Sequence, residues 1–337
     1  MRKSTKSKYE KKPKKAKLGK IKAILPKTGN KGKNFYTAYR HALENKRKVC
    51  YNKTAMKKFL TDIHNHSKFS YDGVSTLSEM LDTALSLGVG FYGVAEHCEY
   101  GFCEKARKKL DYSFNEDEYF HTARHLQEDY QGCMNVLVGA EFGYTDDKKA
   151  WGRYEDTCKK YAPDFVVNSV HALNGWDYYL QTPFFEEQEN GEKILRTKKE
   201  VYTEYCQLVR RSLDAPYPYD IVGHFGYVSR YYPQDDRAFS LAEFGEEIDE
   251  VLKTVIAKDK ILEVNASAHG LAQICLPSEE ILRRYYALGG RKISYASDAH
   301  QTSSILRGRE QIVALLKEIG FTYLTVPCRG EHIKVEL

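Results

Sequence analysis

The stretch Phe59-Leu60-Thr61-Asp62-Ile63-His64-Asn65-His66 decides how the rest of the chain is read. Phe59 to Ile63 reads as a short buried strand, and His64 and His66 sit at its C-terminal end. A neutral imidazole is the commonest protein metal ligand, and two histidines one residue apart can lean toward one ion where the backbone leaves the strand and turns. Alone the pair is a weak signal, since strand-end histidines are common. Its weight comes from recurrence further along the chain.

From residue 59 strands and helices alternate. Thr76 to Leu87 carries an apolar stripe at Leu77, Met80, Leu81, Ala84 and Leu85, opens on a Thr76/Glu79 capping box and ends at Gly88. The strand 91–95 then delivers Glu96 and His97, 136–140 delivers Glu141, and 164–170 delivers His171. Strand 219–223 ends at His224, 261–264 at Asn265, and 292–297 at Asp298 and His300. Helices are expected at about 198–213, 240–258, 278–288 and 304–318, with a short strand after Gly320. A charged helical insertion, 103–132, carries His121 and His125 on one solvated face, and the excursion 174–197 is placed to form a lid. Seven strand–helix units with short apolar strands predict an α/β fold, a closed or nearly closed parallel barrel in a single domain over residues 58–337.

The charge is unevenly spread. Residues 1–34 hold 14 Lys and Arg against one acidic residue, Glu10, leaving 38 of the 52 basic and 45 of the 46 acidic side chains for the rest. The body is therefore mildly acidic. Residues 1–57 read as a basic, self-repelling tail and a short linker helix at 35–57, disordered alone and open to contact with nucleic acid or an acidic surface. No apolar run approaches the roughly 20 residues of a membrane span, and no apolar signal segment opens the chain. Eight cysteines without a CxxC pair read as reduced thiols, as in a cytoplasmic protein.

Six of the seven strands thus present a candidate ligand at one end: His64 and His66, His97, Glu141, His171, His224, and Asp298 with His300. In an α/β barrel those ends converge on one face, where catalytic groups collect. Imidazoles and carboxylates without thiolate suit Zn, Mn or Fe. The ligands outnumber the needs of one ion, so a cluster of two or three divalent metals is expected, with a carboxylate such as Glu141 as the bridge.

His64-x-His66, Glu96-His97, Gly139-Ala140-Glu141, Ser169-Val170-His171, Gly223-His224 and Ser297-Asp298-Ala299-His300 together resemble the ordered motifs of the PHP (polymerase and histidinol phosphatase) family over residues 59 to about 325. Phe69-Ser70-x-Asp72-Gly73, Gly175-Trp176-Asp177 and Arg307-Gly308 look most like its histidinol-phosphatase branch. The resemblance implies a distorted (β/α)7, TIM-like barrel with three metals at the C-terminal face of the strands. His64, His66, Glu141 and Asp298 would hold the first metal. Glu141, His171 and His224 would hold the second, and His97, His300 and Asp72 the third. Asp72 stands where the family often has His. Arg230 matches a phosphate-binding position. The second phosphate-binding Arg expected after strand six is absent from Asn265-Ala266-Ser267-Ala268-His269-Gly270, where His269 could take part of its role.

The implied activity is hydrolysis of a small phosphorylated metabolite, L-histidinol phosphate in histidine biosynthesis being the leading candidate, by metal-activated hydroxide. Arg230 would stabilise the developing charge, and Glu96 would orient a ligand histidine. The leaving alkoxide would be protonated by a coordinated water or by His269. Other readings of the same motifs are a PHP phosphodiesterase or nuclease, a phosphotyrosine phosphatase, and a non-catalytic metal-binding regulator.

Overall fold

The computed structural model describes residues 59–268 and 270–337. The expected basic tail, its linker helix and His269 lie outside these residues. In chain order, β1 (Leu60–Asp62), α1 (Leu77–Ser86), β2 (Val89–Cys98), α2 (Glu104–Leu110), α3 (Glu116–Asp129), β3 (Asn135–Gly143), α4 (Lys148–Tyr161) and β4 (Phe165–Ser169) come first. Two small hairpins follow, β5 (Ala172–Leu173) with β6 (Trp176–Asp177) and β7 (Phe185–Glu187) with β8 (Lys193–Leu195). Then come α5 (Lys198–Ser212), β9 (Ile221–Val222), α6 (Leu241–Ala257), β10 (Ile261–Asn265), α7 (Glu279–Ala287), β11 (Ile293–Ala296), α8 (Arg309–Ile319), and the antiparallel pair β12 (Tyr323–Cys328) and β13 (Glu331–Glu336).

Seven strands form one parallel sheet in the order β1-β2-β3-β4-β9-β10-β11. Its outer strands meet. Ile63 N–H donates to Tyr295 O (3.2 Å), Asp298 N–H to His64 O (3.0 Å) and His66 N–H to Ala299 O (2.9 Å), closing the sheet into the expected barrel. A barrel this small brings neighbouring backbones close, and a Cβ on Gly93 would lie 2.2 Å from Ile63 O.

Two apolar layers hold the barrel. Outside, the helices lay their stripes on the sheet: Leu77, Met80, Leu81 and Ala84 of α1 are buried, and the Thr76/Glu79 capping box is formed. Inside, Ile63, Ala95, Leu137, Val167, Ile221 and Ile261 pack along the axis, where Val326 and Val335 of the β12–β13 hairpin join them. Each of the larger aliphatic side chains contributes about 1.5–3 kcal/mol by leaving water. Arg329 Nε donates to Asp164 Oδ1 (2.7 Å) just before β4, so the hairpin plugs the N-terminal mouth of the barrel. Polar groups are left to gather at the other end.

Among the differences from expectation, the last helix starts at Arg309 and not near 304, and four others bear on the architecture. β2 and β3 run on past His97 and Glu141, so these two residues lie within paired strands. The insertion 103–132 splits into α2 and α3, because Asp111 closes α2 in the left-handed conformation. α4 fills a stretch whose weak stripe (Ala150, Tyr154, Thr157) gave no sequence signal. The expected single terminal strand is a hairpin. His121 and His125 are exposed, as their helix face predicts.

Candidate metal centre

Each ligand candidate reaches the C-terminal mouth by a simple local device. His97 and Glu141 are register partners on β2 and β3, so their side chains leave the sheet side by side. His64 and His66 follow β1, His171 follows β4 and His224 follows β9, all buried. Asp298 turns in just after β11 with a left-handed backbone (φ 53°), a conformation that acidic side chains tolerate better than most.

Glu141 divides the centre. Its Oε1 lies 2.9 Å from His224 Nε2 and 3.1 Å from His171 Nε2. Its Oε2 lies 3.3 Å from His64 Nε2, 3.6 Å from His66 Nε2 and 2.8 Å from His97 Nδ1. On one side His66 Nε2 is also 3.0 Å from His64 Nε2 and 3.4 Å from Asp298 Oδ1, while on the other His171 and His224 bring their Nε2 atoms to 3.1 Å. His66, His97 and His300 form a further set, and the Asp72 carboxylate reaches His97 (3.7 Å) and His300 (3.3 Å) from a partly exposed position. All nine residues expected to hold metal thus gather in one place.

The residues fit cations. Three sets, His64/His66/Asp298, Glu141/His171/His224 and His66/His97/His300, each keep their donor atoms within 4.8 Å of one another, and His97/Glu99/His171 makes a fourth. Glu141 Oε2, His97 Nδ1 and His300 Nε2 are buried without a hydrogen-bond partner among the described residues, although Glu141 and His97 are close. Orphaned buried polar atoms are costly unless something satisfies them, and a shared cation does so. The electrostatics agree. Burial opposes ionisation of Glu141, yet His64, His171 and His97 hold its carboxyl well below the usual range. Burial likewise opposes charge on His171, but Glu141 and Glu99 push it up to about 10, and Glu141 raises His64 and His97 well above their ordinary value. The carboxylates draw positive charge into the site.

Two buried carboxylates that sequence reasoning passed over orient the imidazoles. Glu263 Oε1 lies 2.6 Å from His64 Nδ1, and its Oε2 accepts from the His224 backbone N–H (2.7 Å). Glu99 Oε1 lies 2.6 Å from His171 Nδ1. Each had a signal: Glu263 is a lone charge in an apolar strand, and Glu99 follows His97 by two residues. Glu96 was expected to orient a ligand histidine. It accepts from Ser67 N–H (3.0 Å), Ser67 Oγ (2.6 Å) and Ser70 Oγ (2.6 Å), and of these groups Ser70 Oγ lies near an imidazole, 3.1 Å from His66 Nδ1. Its carboxylate therefore fixes the loop after β1 and touches His66 through a serine.

Above the centre opens a cavity of about 630 Å³ whose wall includes Tyr71, Tyr179, Tyr227, Tyr231, Arg230 and Arg307. Arg230 is buried on the short turn Tyr227–Arg230, donating to Asn265 Oδ1 (3.0 Å) and lying 3.5 Å from Asp298 Oδ2. Its Nε has no partner among the described residues. The excursion 174–197 contributes Tyr179 to the wall.

The sequence profile of the PHP domain matches residues 62–267. The chain belongs to the PHP family. Among its relatives, a probable histidinol-phosphatase of Clostridium acetobutylicum is 28% identical over 244 residues, covering 72% of this chain and 88% of that protein. The histidinol-phosphatase of Lactococcus lactis is 27% identical over 268 residues, 79% of this chain and 93% of that protein. The crystal structure of the L. lactis histidinol phosphate phosphatase, complexed with zinc, L-histidinol and phosphate, superposes with a TM-score of 0.65 at 25% identity, over 82% of this chain and 99% of that one. A putative histidinol phosphatase from Listeria monocytogenes shares the PHP fold at a TM-score of 0.61 and 20% identity, over 74% of this chain and 99% of that one. Among the described residues no helix is long and apolar enough to cross a membrane.

Proposed function

We propose that this PHP domain is a metal-dependent phosphatase hydrolysing a small phosphomonoester, L-histidinol phosphate to L-histidinol in histidine biosynthesis. The observation that carries the reading is Glu141, which turns one carboxylate oxygen to each of two histidine sets beneath a cavity holding the buried Arg230. The names of the relatives and the ligands of the L. lactis enzyme support the substrate. His64, His66, Glu141 and Asp298 would hold one ion, Glu141, His171 and His224 a second, and His97, His300 and Asp72 a third. Zinc is the metal in the crystal structure of the L. lactis enzyme, and zinc, manganese or iron would suit this donor set. The reading places the activity in a cytoplasmic barrel spanning residues 58–337, with residues 1–57 as an appended basic segment.

Divalent ions bound there supply Lewis acidity and a water acidic enough to act as nucleophile near neutral pH. The protein does the rest. Glu263 and Glu99 fix the tautomers of His64 and His171, so that each Nε2 presents its lone pair to the centre. Arg230, whose Nε has no partner among the described residues, is preorganised to bind phosphoryl oxygens as their charge grows. The tyrosines of the wall would enclose the organic part of the substrate and thin out the water around it. His269 remains a proposed proton source for the leaving alkoxide.

The test is metal analysis of the purified protein followed by phosphate release from histidinol phosphate, a phosphotyrosine peptide and an oligonucleotide. At least two ions per chain and a clear preference for histidinol phosphate are expected. Fewer than two ions under metal-replete conditions, or turnover of the oligonucleotide alone, would sink the reading.

A further inference from the structure

The family resemblance calls for a second phosphate-binding arginine on the loop after β10, and that loop has none. In the sheet, β10 lies between β9 and β11. The segment after β9 carries Arg230, and the segment after β11 carries Arg307. Both line the cavity, as does Ser267 of the arginine-free loop between them. The two arginines therefore reach one cavity from the strands on either side of the arginine-free loop.

Arg307 is held for such a task. Leu306 (φ 60°) and Gly308 (φ 61°) place it on a tight left-handed turn, and Tyr295 Oη donates to its carbonyl (2.7 Å). One amino group donates to Ser304 Oγ (2.6 Å), which sets the direction of the planar fork. Exposed arginines elsewhere on this chain, such as Arg211 and Arg329, pair with carboxylates, whereas no ion-pair partner for Arg307 occurs among the described residues. The other cation on the wall, Lys109, extends over the Trp176 ring (5.1 Å) and is a flexible point charge. A rigid guanidinium fork matches phosphate oxygens better.

We propose that Arg307 is the second phosphate-binding guanidinium of this site, reaching from the β11 side into the place that the β10 loop leaves without an arginine. The inference rests on the phosphatase reading above. It makes the grip on phosphate two-sided, with Arg230 buried beside Asp298 and Arg307 closing from the rim.

The test compares the metal-loaded full chain with Arg307→Gln and Arg307→Lys, checking that metal content is equal. The readouts are KM and kcat for histidinol phosphate, Ki for inorganic phosphate, and the rise in Tm on adding inorganic phosphate. Arg307→Gln is expected to raise KM and Ki in parallel, roughly tenfold or more as for a lost charge-assisted hydrogen bond, and to shrink the Tm rise, with Arg307→Lys recovering part of each. A variant whose KM rises while Ki and the Tm rise stay unchanged places Arg307 at the leaving-group end and overturns the proposal. If the wild type releases no phosphate, the phosphatase reading fails separately. The Tm rise then still decides: its loss in Arg307→Gln supports phosphate binding, and its persistence overturns it.

Discussion

Oε1 of Glu99 lies 2.6 Å from Nδ1 of His171, and Glu263 stands in the same relation to His64 at 2.6 Å. A carboxylate can only accept, so each imidazole carries a proton on Nδ1 and leaves Nε2 as the atom that faces the centre. Glu99→Gln and Glu263→Gln are expected to keep the fold and weaken metal retention by about 10- to 100-fold, the usual cost of losing such a partner. Chelator competition measures it, and unchanged affinity in both variants would falsify the orienting role.

Glu141 serves both halves of the centre, so Glu141→Gln should weaken them together and by more than the roughly 10- to 100-fold cost of an outer partner. Metal content per chain after dialysis reads this directly. Loss of one ion with full retention of the others would mean that its two oxygens are not shared.

Protons and metal ions compete for the same nitrogens. In metal-free protein His171 is pushed up to about 10 from an ordinary 6.5, and His64 and His97 are raised as well. A raised folded-state pKa stabilises the fold below the unfolded value and loses that contribution as pH rises through the folded one. Chelator-treated protein is therefore expected to lose Tm between about pH 7 and pH 10, and metal loading should flatten the slope. Metal uptake should release protons and weaken as pH falls, which titration calorimetry in buffers of different ionisation heat can measure.

Arg230→Ala removes a buried guanidinium from Asn265 and from the neighbourhood of Asp298. Both a higher KM and a lower kcat are expected, together roughly 10- to 100-fold in kcat/KM. Steady-state kinetics at fixed metal content decides it, and equal kinetics would remove Arg230 from the phosphate site.

Two glycines offer a contrast. A Cβ on Gly143 would lie 1.7 Å from Glu99 Oε2, whereas one on Gly152 in α4 meets nothing within 4 Å. Gly143→Ala should cost about 1–3 kcal/mol by overpacking and should loosen His171 through Glu99. Gly152→Ala should gain about 0.5–1 kcal/mol of helix stability. Urea unfolding with metal analysis separates the two, and a Gly143→Ala protein of normal stability and metal content would contradict the crowding.

The strand-end histidines were legible because a parallel barrel sends each strand end to one face, so His64, His171 and His224 could be placed without coordinates. Glu141 was legible as a ligand candidate by its place at a strand end, and its two oxygens face two histidine sets. Glu99 and Glu263 were harder. Whether a buried carboxylate meets an imidazole depends on register across strands far apart in sequence, and the His64–Glu263 contact joins residues 199 positions apart. The route from Glu96 was not legible, because its side chain bonds the serines of the β1 loop and meets His66 through Ser70. Arg307 belongs to a family-like motif but shows its relation to Arg230 only when β9 and β11 are seen on either side of β10.

The seam between β1 and β11 has a bearing on how the molecule is made. Asp62 accepts from Ser297 N–H across 235 residues of chain, and the candidate ligands on either side of that bond are the first and the last to leave the ribosome. His64 and His66 must wait for Asp298, whereas Glu141, His171 and His224 are all made earlier. On the proposed assignment, the first of the metal sites is therefore completed only late in synthesis, with closure of the ring.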